Sequence, residues 1–229
     1  MPAPVLPDPL PDDRRTAAPG AQEDVFAPTP LLQAASPVNW FLIAGSVVLY
    51  VWSAQGEDLE RLLPWFISKL DARTVPLFEV RHGEVWRLFT PAFIHFGIAH
   101  LGFNMLNLIG LGNILERRLR SGHYLVLVVG LAVFSNLTQY FITGSPAFGG
   151  MSGVIYGLLG YVWLRGRFDL TFGLGIPQQM IVIALVWFVA CVVGFIPHVA
   201  NSAHGAGLAL GAIWGVFDGR RAMESVRRL

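Results

Sequence analysis

This sequence of 229 residues is poor in cysteine and in charge. Its one cysteine, Cys191, excludes an intramolecular disulfide and a cysteine-based zinc site. Only 14% of the residues are charged, whereas 54% are hydrophobic, so too few charges remain to cover a water-soluble globule. The formal net charge of +1 argues against nucleic acid as a partner, since phosphate binding needs a basic surface. The apolar surface must therefore face a lipid bilayer.

Residues 1–36 differ in composition from the rest of the chain. They hold eight of the fifteen prolines and few large apolar side chains, so they bury too little surface to offset the entropy of ordering. They also lack the basic start and apolar run of a secretory signal peptide. We expect a disordered cytoplasmic tail over 1–36 and a membrane domain over 37–229.

The membrane domain alternates apolar runs with charge clusters. Arginine-rich clusters follow the second, fourth and sixth runs, so the positive-inside rule predicts that both termini are cytoplasmic. The sequence therefore predicts an all-α polytopic membrane protein with six transmembrane helices. The predicted helices are 37–54, 92–115, 124–143, 152–164, 178–196 and 202–217.

Four polar residues inside these helices fall at one predicted depth. Counted from the cytoplasmic charge clusters at about 1.5 Å per residue, they lie roughly 18 to 24 Å above the inner face of a core about 30 Å thick. The four are His100, Asn104, Ser152 and His204. Buried polar groups are costly in lipid and tend to be functional, so this layer is the candidate site.

The short fourth helix is predicted to begin at Ser152, directly after a Gly-Gly-Met loop. The Ser152 amide would then lack an intrahelical acceptor and could bind an oxyanion. His204, at matching depth, is the expected base, and small residues on both helices would allow close approach. Tyr156 lies one turn below Ser152 on the same face, where its ring could pack on the imidazole. Carboxylates after Ser152 are all predicted to be cytoplasmic, which favours a dyad.

His100 and Asn104 are four residues apart and share a helix face, so they could donate to the same oxyanion. The remaining polar residues of the helices are expected only to hydrogen-bond a neighbouring helix. These are Asn107, Asn113, Ser135, Asn136 and Gln139, while His82, His95 and His123 are expected at the membrane interface. These features favour an intramembrane hydrolase over a transporter or a scaffold.

The segment from Trp86 to Arg221 resembles the rhomboid family of intramembrane serine proteases, in its compact six-helix bacterial form. Five sequence features, in the family's order, carry the resemblance. They are Trp86 with Arg87, the HxxxN pattern of His100 and Asn104, Glu116 with Arg117 and Arg118, GxSG at 150–153 followed by Tyr156, and AHxxG at 203–207. A lone GxSG would be weak, but the ordered set is specific.

The resemblance implies that Ser152 is the nucleophile and His204 the general base, without a third acid. It implies an oxyanion hole formed by His100, Asn104 and the Ser152 amide. It also assigns oxyanion or substrate-binding positions to Gly150, Met151, Tyr156 and Asn201. The implied segments around this site are a first outer loop over 55–91, partly in the membrane, and a gate over 178–201.

Further expectations follow from the same resemblance. No cofactor or metal is implied, and the implied partners are the lipid bilayer and single-pass transmembrane substrates, cleaved in or near the membrane. The implied location is the plasma membrane of a bacterium. The alternative is a catalytically silent rhomboid-like protein that binds transmembrane clients, although such proteins usually lack the serine or the histidine. A small-solute transporter has less support, because no internal repeat or intramembrane carboxylate is visible.

Overall fold

The structure, a computed structural model, describes residues 23–24, 36–69, 75–193 and 199–228. Most of the predicted tail, 1–22 and 25–35, therefore lies outside the described residues. Within it, Glu23–Asp24 forms strand β1, which pairs in parallel with strand β2 at Leu174–Gly175. The described chain is otherwise mainly helical.

Within the described residues, the bundle is built from five helices and one longer helical stretch made of two α-helical segments. Helices α4 (Ile98–Asn107) and α5 (Asn113–Leu119) are joined by a π-helical turn at Leu108–Gly112 and form one continuous stretch. Two short helices, α2 at Leu59–Leu62 and α3 at Phe78–Arg81, lie in the first long connection. The main elements are α1 (Pro37–Trp52), α4 (Ile98–Asn107), α5 (Asn113–Leu119), α6 (Ser121–Thr143), α7 (Ser152–Phe168), α8 (Gln178–Val192) and α9 (Asn201–Arg227).

The helix bounds differ from the predicted ones where local sequence interrupts or prolongs a helix. The second apolar run becomes helical only at Ile98, because a 3₁₀ turn at Thr90–Phe93 and Gly97, with φ of 86°, precede it. The fourth helix has 17 residues rather than 13, and α9 continues ten residues past the predicted end at Phe217. The end of the predicted fifth helix, at 194–196, lies outside the described residues.

Helix α7 runs through the middle of the bundle and packs most closely on α9. Four glycines of α9, one per turn, face the α7 backbone: a Cβ at Gly207 would overlap the Gly153 carbonyl oxygen, and one at Gly211 that of Gly157. Without side chains in the way, the two helix backbones come into direct contact. On another side of α7, the fully buried Leu131 of α6 packs against Gly157.

A buried carboxylate ties α1 to α5. Glu116 accepts hydrogen bonds from the amides of Val38 (3.1 Å) and Asn39 (2.8 Å) and from Ser121 Oγ (2.6 Å). The two amides lie in the first turn of α1, where backbone donors lack intrahelical acceptors and the helix dipole favours a negative charge. The Asn39 side chain extends the network by donating to the Leu108 carbonyl oxygen at 2.7 Å.

The C-terminal halves of α7 and α9 meet in an ion-pair cluster. Arg165 contacts Asp169 (3.2 Å) and Asp218 (3.3 Å), and Asp218 also accepts from Tyr161 Oη at 2.8 Å and contacts His123 Nε2 at 3.0 Å. Ser152 and Arg165 are 13 residues apart on α7, about 20 Å along a helix. These carboxylates therefore lie far from Ser152, as the depth count predicts.

The outer surface of the bundle is strongly apolar. Phe41 of α1 is 67% exposed and Leu106 of α4 is 70% exposed, which would be costly in water. Among the described residues, two helical stretches, Ile98–Leu119 and Ser121–Thr143, meet the length and composition of a membrane span, and α1 and α8 are shorter apolar helices. The surface is that of a protein embedded in lipid.

Candidate active site

Ser152 and His204 meet at the N-terminal ends of α7 and α9. Ser152 is the first residue of α7, and its Oγ lies 2.7 Å from His204 Nε2, a hydrogen-bond distance. His204 is in the first turn of α9 and is buried. The contact depends on the glycine packing described above, since Gly153 directly follows Ser152 and Gly207 lies about one turn after His204.

Tyr156 packs on one face of the His204 imidazole. Its ring stacks on His204 with centroids 4.7 Å apart and planes inclined by 24°, and its hydroxyl donates to the Ala184 carbonyl oxygen of α8 at 3.4 Å. His204 Nδ1 is buried and has no hydrogen-bond partner among the described residues. Within the described chain, this histidine is thus oriented by Ser152 and by an aromatic ring rather than by a carboxylate.

His100 lies at the same corner on α4, and Asn104 follows one turn later on the same helix. A Cβ at Gly150 would lie 2.7 Å from His100 Nε2 and 3.6 Å from Ser152 Oγ, so the absent side chain leaves the imidazole and the hydroxyl on either side of one small space. Asn104 Nδ2 donates to the His100 carbonyl oxygen at 2.8 Å, which occupies one of the two amide hydrogens. The second hydrogen is available to another acceptor.

The loop before Ser152 is held by the segment that precedes α4. The Gly150 amide donates to the Pro91 carbonyl oxygen at 3.0 Å, and the Met151 amide points to His95 Nε2 at 3.5 Å. His95, expected at the membrane interface, is instead buried beside His100, with ring centroids 5.0 Å apart. Sequence reasoning missed this residue because the predicted helix 92–115 runs through it and the depth count then places it near the outer surface, whereas the chain becomes α-helical only at Ile98.

Asn201 begins α9 and bonds to α8 rather than to the serine. Its Nδ2 donates to the Cys191 carbonyl oxygen at 3.0 Å, and its Oδ1 is buried without a partner in the described part of the chain. Cys191 itself is the one buried residue of α8. Asn201 thus joins the end of α8 to the start of α9, one turn above His204.

The five residues expected only to bond between helices divide into two groups. Asn113 pairs with Asn39 (2.8 Å), Asn136 donates to the Leu88 carbonyl oxygen (2.9 Å), and Gln139 accepts from the Ala203 amide (3.1 Å), each across elements. The exceptions are Asn107, which donates to Phe103 of its own helix, and Ser135, whose buried Oγ has no partner among the described residues.

Metal binding finds no support in the described residues, where no three His, Cys, Asp or Glu side chains gather as a metal site requires. The chemistry available is that of a serine next to a neutral or protonated histidine, with amide and imidazole donors around it. Fold and site together define a helical membrane protein with a serine–histidine pair inside its bundle.

Comparison with known proteins assigns the chain to a family. The model of the Rhomboid domain matches residues 82–221. Proteins named Rhomboid protease GlpG from Salmonella paratyphi A, Salmonella typhi and Salmonella choleraesuis are each 38% identical over 189 residues, which is 82% of this chain and 65% of the relative. The alignment thus spans less than two thirds of those relatives. The chain belongs to the rhomboid family, whose fold is a polytopic membrane fold.

Proposed function

We propose that this protein is an intramembrane serine protease that uses Ser152 as nucleophile and His204 as general base. The observation that carries the proposal is the 2.7 Å contact between Ser152 Oγ and His204 Nε2 inside an apolar helix bundle. A serine hydroxyl is a weak nucleophile until a neighbouring base removes its proton. The names of the relatives, which are rhomboid proteases, support the same activity.

The reaction follows from the positions of these groups. His204 Nε2 takes the proton as Ser152 Oγ attacks the substrate carbonyl carbon, and the tetrahedral oxyanion is stabilised by the Ser152 amide, His100 and the free hydrogen of Asn104. The imidazolium then protonates the leaving amine, which departs and leaves an acyl-enzyme. A water molecule, deprotonated by His204, attacks the ester carbonyl. Collapse of the second tetrahedral intermediate breaks the bond to Ser152 Oγ and releases the carboxylic acid product, while protonated His204 returns its proton to Oγ.

The dyad replaces the usual orienting acid by packing. Tyr156 stacks on His204, and its hydroxyl is anchored on α8, so the ring restricts rotation of the imidazole. A carboxylate beside His204 would have to be desolvated in the bundle at considerable cost. We propose that stacking, together with the serine hydrogen bond, supplies the orientation that an aspartate supplies in a triad.

The proposed substrates are single-pass transmembrane proteins, cut in or near their membrane segment. A helical peptide bond is shielded and internally hydrogen-bonded, so the segment must unwind before Ser152 can attack. Helix α8 is the proposed gate, because Cys191 is its one buried residue. Its contact with α4 includes the stacking of Trp187 on Phe103, with ring centroids 6.3 Å apart. Gly150, Met151 and Asn201 line the proposed approach to the serine.

We further propose a topology with six membrane-spanning helices over 37–229, a cytoplasmic tail over 1–36 and both termini in the cytoplasm of a bacterium. The support is the arginine content of the α5, α7 and α9 ends, together with the apolar outer surface. A reporter fused after Leu229 is expected to be cytoplasmic. A signal from outside the cytoplasm would overturn this orientation. The chemistry of Ser152 is tested separately, by the cleavage assay below.

The decisive experiment compares cleavage of a model transmembrane substrate in proteoliposomes. Ser152→Ala and His204→Ala should each abolish cleavage, and Ser152→Ala should also abolish labelling by a fluorophosphonate probe. Ser46→Ala is the matched control, because it removes another buried serine hydroxyl, in α1, and should leave both signals intact. Unimpaired cleavage by Ser152→Ala would refute the mechanism, and a parent protein that binds but never cleaves varied substrates would favour the client-binding alternative.

A further inference from the structure

His95 lies behind the loop that carries Ser152, in a position that the proposed reaction does not use. It is buried to 1% exposure between the loop and His100, although it belongs to an irregular stretch after the 3₁₀ turn at Thr90–Phe93. Both ring nitrogens are near backbone groups: Nδ1 is 3.0 Å from the Phe93 carbonyl oxygen, and Nε2 is 3.5 Å from the Met151 amide nitrogen.

The loop needs such contacts because its sequence does not fix its shape. Gly149 and Gly150 have no side chains, and Gly150 adopts a φ of 126°, which only glycine reaches easily. The orientation of the peptide groups before Ser152 must therefore come from the wall behind them. That wall is the segment 91–95. The Pro91 carbonyl oxygen accepts a hydrogen bond from the Gly150 amide, and His95 Nε2 accepts one from the Met151 amide.

The two contacts of His95 fix its tautomer. A carbonyl oxygen can only accept, so Nδ1 must carry the hydrogen that points to Phe93. In the neutral ring Nε2 then has a free lone pair, which is what the Met151 N–H requires. The Phe93 carbonyl oxygen therefore orients the His95 ring, and the ring in turn presents Nε2 as an acceptor to the Met151 amide.

His95 also limits where His100 can lie. Their ring centroids are 5.0 Å apart at an angle of 58°, while Gly150 occupies another side of the His100 imidazole. The His95 ring thus contacts both the loop amide that directly precedes Ser152 and the imidazole proposed to bind the oxyanion. Two donors of the proposed hole, the Ser152 amide and His100, share this one support.

We propose that His95 is a positioning residue of the oxyanion hole. As the neutral Nδ1–H tautomer it accepts the Met151 N–H, which orients the peptide before Ser152, and its ring fixes the imidazole of His100. His95 does not touch the substrate. This inference rests on the proposed function, since an oxyanion forms only if Ser152 attacks a carbonyl.

The test is a pair of substitutions that differ in one property. His95→Leu keeps an apolar volume in the wall but has no acceptor, whereas His95→Gln can place its amide oxygen near the position of Nε2. We expect His95→Leu to lower kcat about tenfold to a hundredfold with little change in KM, because small displacements of catalytic groups cost rates of this order. His95→Gln should recover most of the lost kcat.

His82→Ala is the matched control. His82 Nδ1 makes the same kind of contact, to the Phe78 carbonyl oxygen at 2.7 Å, but the residue is exposed and belongs to α3's end in the first long connection. Its substitution should leave kcat unchanged. Equal kcat values for His95→Leu and the parent would overturn the proposal, as would equal losses in the Leu and Gln variants.

A double substitution separates positioning from general stability. If His95 acts partly through His100, the loss in His95→Leu combined with His100→Ala must be smaller than the product of the two single losses. Losses that multiply would refute the action through His100, and a kcat that falls only in step with the thermal midpoint in detergent would assign His95 a structural role only. Ser152→Ala in the same assay keeps the two ideas apart: if it still cleaves, the proposed function fails, and if it is inactive while His95→Leu is normal, only the positioning role fails.

Discussion

Replacing Gly207 by alanine tests whether the contact of two helix backbones sets the geometry of the site. A methyl group there would overlap the Gly153 carbonyl oxygen and lie 3.0 Å from its carbon and 3.1 Å from Ser135 Oγ, whereas ordinary contacts begin at 3.4 Å. Carbonyl groups inside a helix cannot turn aside, so α7 and α9 must separate by about 1 Å in a densely packed interior.

The separation acts directly on the serine–histidine pair, because Gly153 follows Ser152 and Gly207 lies one turn below His204. The 2.7 Å contact would lengthen towards the limit of a hydrogen bond. We expect a loss of about a hundredfold in kcat and a destabilisation of about 1 to 3 kcal/mol from overpacking. Cleavage in proteoliposomes and thermal unfolding in detergent measure the two effects.

Gly205→Ala is the control on the same helix. Among the described residues its methyl group would meet only the Phe188 ring, with Cζ at 3.4 Å and Cε2 at 4.0 Å, which are ordinary contacts. This variant should cleave and unfold like the parent. Full turnover in Gly207→Ala, or the same loss of activity in both glycine variants, would show that the backbone contact does not set the geometry of the site.

Three further predictions concern single side chains. Asn104→Ala should lower kcat by about tenfold to a thousandfold at similar KM, as expected for one lost oxyanion donor; full turnover would remove Asn104 from that role. Glu116→Gln should destabilise the fold by about 1 to 3 kcal/mol in thermal unfolding, because the α1 amides lose a charged acceptor; the exposed Glu224→Gln should not, and equal midpoints would contradict the capping role. Burial raises the pKa of Glu79, but hydrogen bonds from its backbone and from Ser68 outweigh this and hold the pKa below the usual 4.5. A carboxylate with a lowered pKa stabilises the fold above about pH 4.5, and this contribution is lost as the pH falls through the folded-state pKa. The free energy of unfolding of Glu79→Gln should therefore depend less on pH in the acid range than that of the parent. Parallel curves of unfolding free energy against pH would refute this role of Glu79.

The meeting of Ser152 with His204 was predictable because both residues lie in regular helices. A rise of 1.5 Å per residue converts sequence distance into depth, and Ser152 and His204 were paired by that count together with the glycines below them. The count also kept Asp169 and Asp218 away from the pair, in agreement with their contacts to Arg165.

Irregular backbone and long-range pairing were not predictable in the same way. His95 follows a 3₁₀ turn, where no constant rise relates its number to its depth. The bond between Glu116 and the first turn of α1 joins residues 77 positions apart, and periodicity within one helix carries no information on such a partner. For Ser135 the sequence predicts a hydrogen bond to a neighbouring helix that the described residues do not show. Its small side chain instead lies against Gly153 and Gly207.

The π-helical turn at Leu108–Gly112 changes the phase of the helix that contains it. Asn104 and Glu116 are twelve residues apart, so an uninterrupted α-helix would point them about 120° apart, and one would face lipid. A π turn accommodates one extra residue and winds the helix back by about 100°, which leaves them about 20° apart. Both side chains are in fact buried. One helical stretch can therefore serve the proposed oxyanion hole with its outer half and the α1 anchor with its inner half. Deleting a single residue from the turn should convert it to regular α-helix and keep both side chains on one face, whereas a regular α-helix with all twelve residues would point them about 120° apart.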